Sequence, residues 1–173
     1  MEIFLISITS YLLGSIPFGF LLTKIFLDKD IRKIGSGNIG ATTALRTGNK
    51  TIGYSTFLLD ILKAIITVLF VKNNYSEYLF VSSLCVFLGH VFPVWLKFKG
   101  GKGVASYVGI LFCINPIFGL ILVFLPSAGS GRRIPSLERN QIWKQLILLM
   151  LYVLRGHVGT SVAVLPMCIL KNS

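Results

Sequence analysis

Two short stretches of this chain gather the residue types that hold phosphate. The first reads Gly35-Ser36-Gly37-Asn38-Ile39-Gly40-Ala41-Thr42-Thr43, followed by Arg46. Glycines let a backbone turn so that successive N–H groups face one point, an anion-binding nest. Ser36, Asn38 and Thr42 add side-chain donors, and Arg46 can grip a phosphate with two hydrogen bonds at once. A helix starting soon after would aim its positive end at the same anion. The stretch also spells G-x-G-x-x-G. A dinucleotide site needs a strand before that motif and a βαβ unit around it, whereas an apolar run and a charged turn precede it here. A Rossmann site is therefore rejected. A plain turn between two helices would need glycine, but not Ser, Asn, Thr and Arg together.

The second stretch runs Gly89-His90-Val91-Phe92-Pro93-Val94-Trp95-Leu96-Lys97-Phe98-Lys99-Gly100-Gly101-Lys102-Gly103-Val104. A Walker A loop does not fit. Gly103 stands where that motif needs Ser or Thr, and Leu96 where it needs its first glycine. The parts still suit phosphate: Lys97, Lys99 and Lys102 beside a Gly-Gly-x-Gly turn. His90 lies one to two turns inside an apolar run. An ionisable residue so placed is either a functional group or a satisfied packing residue.

The elements that position these loops follow from composition. The chain has 173 residues, 54% of them hydrophobic and 13% charged, with mean hydropathy +0.78. A soluble domain carries about 25% charged residues, so the apolar excess must face lipid. Four apolar stretches lie at 3–23, 51–71, 78–96 and 104–125. Each is about 20 residues, enough at about 1.5 Å per residue to cross a hydrocarbon core of about 30 Å. Backbone groups in lipid must pair internally, so the stretches are expected to be helices. The first lacks a basic leader and a small-residue cleavage site, and is read as a retained span. The expected fold is all-α, a polytopic transmembrane bundle of four spans with one or two further helices near the C-terminus.

Charge orients that bundle. The net charge of +11 would suggest nucleic acid in a soluble protein. Here the basic residues cluster between spans, and no nucleic-acid partner is expected. Lys24, Lys29, Arg32, Lys33, Arg46 and Lys50 follow the first span, against Asp28 and Asp30, and Lys97, Lys99 and Lys102 follow the third. The loop after the second span holds Lys72, offset by Glu77. The positive-inside rule places the N-terminus outside and both glycine-rich loops in the cytoplasm. Two anion-binding loops on one face suit a substrate, or a substrate pair, with more than one phosphate. Asp60 and Lys63 sit mid-span at i, i+3 on one helix face. Unpaired, each would cost about 3 kcal/mol at the bilayer centre, so a structural ion pair or a role in shaping a cavity is expected. Cys85, Cys113 and Cys168 have no metal-ligand or C-x-x-C spacing and read as buried, inert thiols.

In these loops the chain resembles the bacterial acyl-phosphate:glycerol-3-phosphate acyltransferases. The resemblance rests on Ser15-Ile16-Pro17-Phe18-Gly19, on the run from Gly35 to Thr42, on Leu59-Asp60-Ile61-Leu62-Lys63, and on the run from Gly89 to Ala105. It covers residues 1 to about 125. It implies an enzyme of phospholipid synthesis in the cell inner membrane, acting among membrane lipid. Such an enzyme moves an acyl group from acyl phosphate to the 1-hydroxyl of glycerol 3-phosphate and gives lysophosphatidic acid. No metal or organic cofactor is implied. By resemblance, Ser36 and Arg46 bind phosphate, Asn38, Gly40 and Thr42 shape that loop, and Lys99, Gly100, Gly101, Lys102 and Gly103 hold a second phosphate. His90 is the catalytic candidate, orienting the glycerol hydroxyl or stabilising charge.

Two departures stand out. Thr43 occupies a position where the family carries Asn, and it offers no amide donor. The family has seven spans and a final His-Arg-x-Asn-Ile motif, whereas residues 126–173 read as an atypical tail. Residues 126–140 look like a linker, and 141–173 contain short apolar segments. The expected division is thus a core at 1–125 and a tail at 126–173. With the final motif absent, at most weak activity is expected. An inactive remnant of the enzyme is one alternative. Another is a small transporter or channel subunit for phosphate esters, although the repeats and broken helices of transporters are not apparent in the sequence.

Overall fold

The computed structural model describes residues 1–120 apart from Ser36 and Phe118. The expectations for the tail, its linker and its short apolar segments lie outside the described residues, as does Cys168. All regular structure among the described residues is helical. The helices are α1 (Glu2–Gly14), α2 (Phe18–Leu27), α3 (Ala41–Leu45), α4 (Lys50–Asn74), α5 (Leu79–Val91) and α6 (Val104–Ile114). Among the described residues, three stretches are long and apolar enough to cross a membrane: Glu2–Leu27, Lys50–Asn74 and Ser76–Leu96.

Only the second expected span is one continuous helix, α4, with 25 residues. Asn49 starts it by accepting a hydrogen bond from the Ile52 N–H at 3.2 Å, which satisfies one orphan donor of the first turn. The other three are interrupted, each at a proline. The first divides between α1 and α2 around Ser15-Ile16-Pro17. The third stops at Phe92, with φ −123° and ψ 64°, just before Pro93. The fourth stops after 11 residues at Asn115, with φ −145° and ψ 108°, just before Pro116. Proline lacks an N–H and pushes the preceding residue out of the helical region. Four helical spans were expected, and the X-Pro steps interrupt the helix within three of them. The break in the first span is also the kind of discontinuity that the sequence did not make apparent.

The bundle buries polar as well as apolar side chains and is apolar outside. Helix α4 buries Thr56, Asp60, Lys63 and Thr67 beside Ile52, Ala64, Val68 and Val71, and turns Leu58, Leu62, Ile66 and Phe70 outward. That polarity suits a lipid solvent, in which small and polar residues mediate contact between helices. Helices α1 and α5 approach so closely that a β-carbon at Gly14 would collide with Val86 backbone, and one at Gly89 with the Tyr11 carbonyl. The Ser10 and Ser82 hydroxyls share a hydrogen bond of 2.8 Å in that interface. Gly109 lets α6 sit against the Ile61 carbonyl of α4, and the Lys72 ammonium donates to the Cys113 carbonyl at 2.7 Å. Cys113 is buried, Cys85 half-buried, and both are free thiols.

Candidate functional site

The first glycine-rich loop is held by short-range contacts that its residue types dictate. Asp30 accepts from the backbone N–H of Arg32 at 3.0 Å and pairs with its guanidinium at 2.7 Å. Those hydrogen bonds from Arg32 hold the Asp30 carboxyl down at about 2, so the pair is formed at neutral pH and Arg32 is committed. Gly35 and Gly37 take positive φ of 59° and 71°, a region that favours glycine. The Arg46 side chain lies over Gly35, where a β-carbon would stand 2.8 Å from a guanidinium nitrogen. Among the described residues nothing pairs with that guanidinium, and Arg46 is exposed.

The loop spends part of its expected nest on itself. The Gly37 N–H donates to the Ile34 carbonyl at 3.2 Å, and the Gly40 N–H to the Asn38 side chain at 3.1 Å. Asn38 therefore shapes the loop, and Gly40 presents its Cα rather than its N–H. Thr42 is exposed at the start of the one-turn α3, while Thr43 is buried within it, 1% exposed. The departure at position 43 falls in packing, not on the open face of the loop. Ser36 lies outside the described residues.

The second loop is built from the end of α5. Pro93 begins a tight turn over Val94–Leu96, and Lys97 and Phe98 take left-handed φ of 52° and 61°. The Gly101 N–H returns to the His90 carbonyl at 3.1 Å. Gly100 and Gly101 are required by this close approach. A β-carbon on Gly100 would strike Pro93 and the His90 and Val91 carbonyls, and one on Gly101 the His90 ring. Gly103, with φ 78°, turns the chain into α6. Lys99 and Lys102 are exposed and have no partner among the described residues.

The structure brings the two loops to one end of the bundle. Leu96 of the second packs in one apolar cluster with Ile31, Ile39 and Ala44 of the first and Ile52 of α4. Beneath them Ser15, Pro17, Gly19, Ile39, Asp60, Lys63 and His90 line a common recess. Lys63 reaches Asp60 Oδ1 at 2.7 Å and donates to the Ile16 carbonyl at 2.7 Å. The contact with Asp60 is a buried ion pair. His90 Nδ1 stands 3.6 Å from the same oxygen, too far for a hydrogen bond. The Ser15 hydroxyl is buried with no hydrogen-bond partner among the described residues.

Chemically, this end of the bundle offers Arg46, Lys99 and Lys102, exposed and without a partner among the described residues, above the buried Asp60–Lys63 pair and His90. Ser15 to Gly19 entered the sequence reading through the family resemblance but not as part of a site, whereas the structure makes them a wall of the recess. Pro17 in the middle of an apolar run was the signal. Tyr11 was missed; its hydroxyl donates to the Phe92 carbonyl at 2.6 Å and stops the end of α5. No sequence signal separates Tyr11 from other apolar positions.

A family model described as Glycerol-3-phosphate acyltransferase matches residues 4–171, well past the position near 125 to which the resemblance was read. A glycerol-3-phosphate acyltransferase of Pelagibacter ubique (strain HTCC1062) is 71% identical over 123 residues, 71% of this chain and 64% of that protein. One from Bartonella henselae is 52% identical over 126 residues, 70% of this chain and 59% of that protein. The chain thus spans less than two thirds of the length of these curated relatives. Among solved structures it is similar to PlsY, an integral membrane glycerol 3-phosphate acyltransferase, in its glycerol 3-phosphate form. There the TM-score is 0.75 at 33% identity, over 91% of this chain and 85% of that one. The lysophosphatidic acid form of PlsY gives 0.74 at 31% identity. This membrane chain, helical throughout the regular structure of its described residues, belongs to the glycerol-3-phosphate acyltransferase family.

Proposed function

We propose that the chain transfers an acyl group from acyl phosphate to the 1-hydroxyl of glycerol 3-phosphate, yielding lysophosphatidic acid and inorganic phosphate. The observation that carries this reading is the meeting of two cationic glycine-rich loops at one end of a membrane bundle. Each substrate brings one phosphate and each loop offers one set of donors. The glycerol 3-phosphate and lysophosphatidic acid forms of PlsY support the acceptor and the product.

The chemistry asks little more than positioning. The glycerol oxygen attacks the acyl carbonyl, the bond from that carbon to the phosphate oxygen breaks, and the hydroxyl proton passes to phosphate. Phosphate is a good leaving group, so the main tasks are alignment and stabilisation of the developing oxyanion. Ser36 and Arg46 hold one phosphate in a loop shaped by Asn38, Gly40 and Thr42. Lys99 and Lys102, with the turn of Gly100, Gly101 and Gly103, hold the other. His90 orients the acceptor hydroxyl or stabilises charge. Both loops face the cytoplasm, the N-terminus lies outside, and the acyl chain lies between spans in contact with lipid.

The test is an assay of the purified chain in lipid with labelled glycerol 3-phosphate. Acyl phosphate should give labelled lysophosphatidic acid, and acyl-CoA should not. Product from acyl-CoA alone would refute the donor, and no product from either would favour an inactive remnant. The broken first span favours one other reading, a transporter of phosphate esters, since such helices bind substrate in transporters. Uptake of labelled glycerol 3-phosphate into sealed vesicles without acylation would support it.

A further inference from the structure

The buried polar group beneath the loops touches both of them, through contacts that run in an unbroken series. Gly19, just past the break in the first span, lies so close to the Ile39 carbonyl that a β-carbon there would collide with it. Ile39 belongs to the first loop. On the other side of the same break, the Ile16 carbonyl accepts from Lys63, and Lys63 pairs with Asp60. His90 stands next to Asp60 and meets Gly101 twice: its carbonyl accepts from the Gly101 N–H, and its ring Nε2 leaves no room for a β-carbon there. Gly101 belongs to the second loop. Asp60, Lys63 and His90 are 3%, 8% and 5% exposed, so the series runs through the interior.

We infer that Asp60, Lys63 and His90 act as one positioning unit that sets the spacing between the two glycine-rich loops. At the proline break the Ile16 carbonyl accepts from the Phe18 N–H at 3.2 Å and, across to α4, from Lys63. A buried ion pair is weak evidence for stability, because desolvation offsets its attraction. Its best use is to specify one arrangement, and here the arrangement joins α1–α2, α4 and α5 at the depth where the loops begin. The apolar cluster around Leu96 ties the loops together from outside this series but is non-directional. The hydrogen bonds of Lys63 to the Ile16 carbonyl and of Gly101 to the His90 carbonyl are directional ties. That the spacing serves catalysis rests on the acyltransferase reading; that it exists does not.

The spacing is measurable without turnover. In the full chain with Cys85, Cys113 and Cys168 replaced by Ser, spin labels on Lys33→Cys and Lys97→Cys report the distance between loops by pulsed electron resonance. The variant Asp60→Asn with Lys63→Met leaves no buried ion without its counterion, so it inserts. Its distribution should shift or widen by about 2 Å, the size of a small helix displacement. His90→Gln, which cuts the series at its other end, should do the same. Thr67→Val, one turn along α4, whose hydroxyl among the described residues donates only to the Lys63 carbonyl, should leave the distribution as it was. In unlabelled protein the double variant should lose about 100-fold in kcat/KM, the cost of misplacement by about 1 Å. A wild-type distribution in both altered proteins would overturn the inference. A shifted distribution with unchanged kcat/KM would overturn its catalytic half. No turnover by the unaltered chain would refute the acyltransferase reading, and the distances would still decide the spacing.

Discussion

Replacing Gly101 by alanine is the smallest change that should disable the second loop. A β-carbon there would fall inside contact distance of His90 Nε2, 2.9 Å from Cδ2 and 3.1 Å from Cε1. Carbon atoms rest at about 3.5–4.0 Å, so ring and turn must separate by about 1 Å. The ring has little room to retreat, since His90 is 5% exposed with Asp60 Oδ1 3.6 Å from its Nδ1. The turn must move instead, carrying Lys102 with it. Overpacking of this kind costs about 1–3 kcal/mol of stability. A displacement of about 1 Å at a positioning loop costs about 100-fold in rate, or about 2.7 kcal/mol of transition-state stabilisation. The assays are membrane-inserted yield, thermal unfolding in detergent, and kcat/KM with both phosphate substrates. Adding His90→Ala should recover stability, because it removes the atoms that collide. Wild-type kcat/KM in Gly101→Ala, with normal insertion, would show that the turn does not need its place on the ring.

Arg46→Ala and Lys102→Ala should each raise KM for a phosphate substrate about tenfold to hundredfold, since a charge-assisted hydrogen bond contributes about 1.5–3 kcal/mol. Neither side chain has a partner among the described residues, so insertion should not change, and an unchanged KM in both would contradict their roles. Gly40 has an ordinary φ of −81°, and its would-be β-carbon meets nothing nearer than Asn38 Oδ1 at 3.6 Å. Gly40→Ala should therefore fold normally and yet raise KM about tenfold, or 1.4 kcal/mol, if phosphate approaches that Cα; normal KM would remove Gly40 from the site. Gly48→Cys and Phe98→Cys should both resist an impermeant thiol reagent applied outside spheroplasts, and labelling of either would reverse the proposed topology.

Much of this architecture was legible in the residues, because lipid imposes strong rules. Apolar runs about 20 residues long, with lysine and arginine gathered after the first and third, leave few alternatives to a helical bundle. The i, i+3 spacing of Asp60 and Lys63 required pairing, and the pair forms at 2.7 Å. Three things were less legible. Hydropathy averages over a window, so it passed over the interruptions at Pro17, Pro93 and Pro116, although the X-Pro rule marks each one. The reason for two glycines at 100 and 101 is a ring and two carbonyls that approach from ten residues upstream, a tertiary fact. The use of Asn38 to occupy the Gly40 N–H is a local habit of Asn in turns. It competes with the nest that the same residues suggest, and sequence alone does not say which wins.

The central claim is that two loops hold two phosphate esters side by side. Equilibrium binding to the purified chain in lipid tests it most directly, using labelled glycerol 3-phosphate and a non-hydrolysable acyl phosphonate as the second ligand. The account predicts that both bind at once, one of each per chain. It further predicts that Arg46→Ala and Lys102→Ala each weaken chiefly one of the two. Mutual exclusion of the ligands, with both variants weakening the same one, would mean a single phosphate site and would contradict the account.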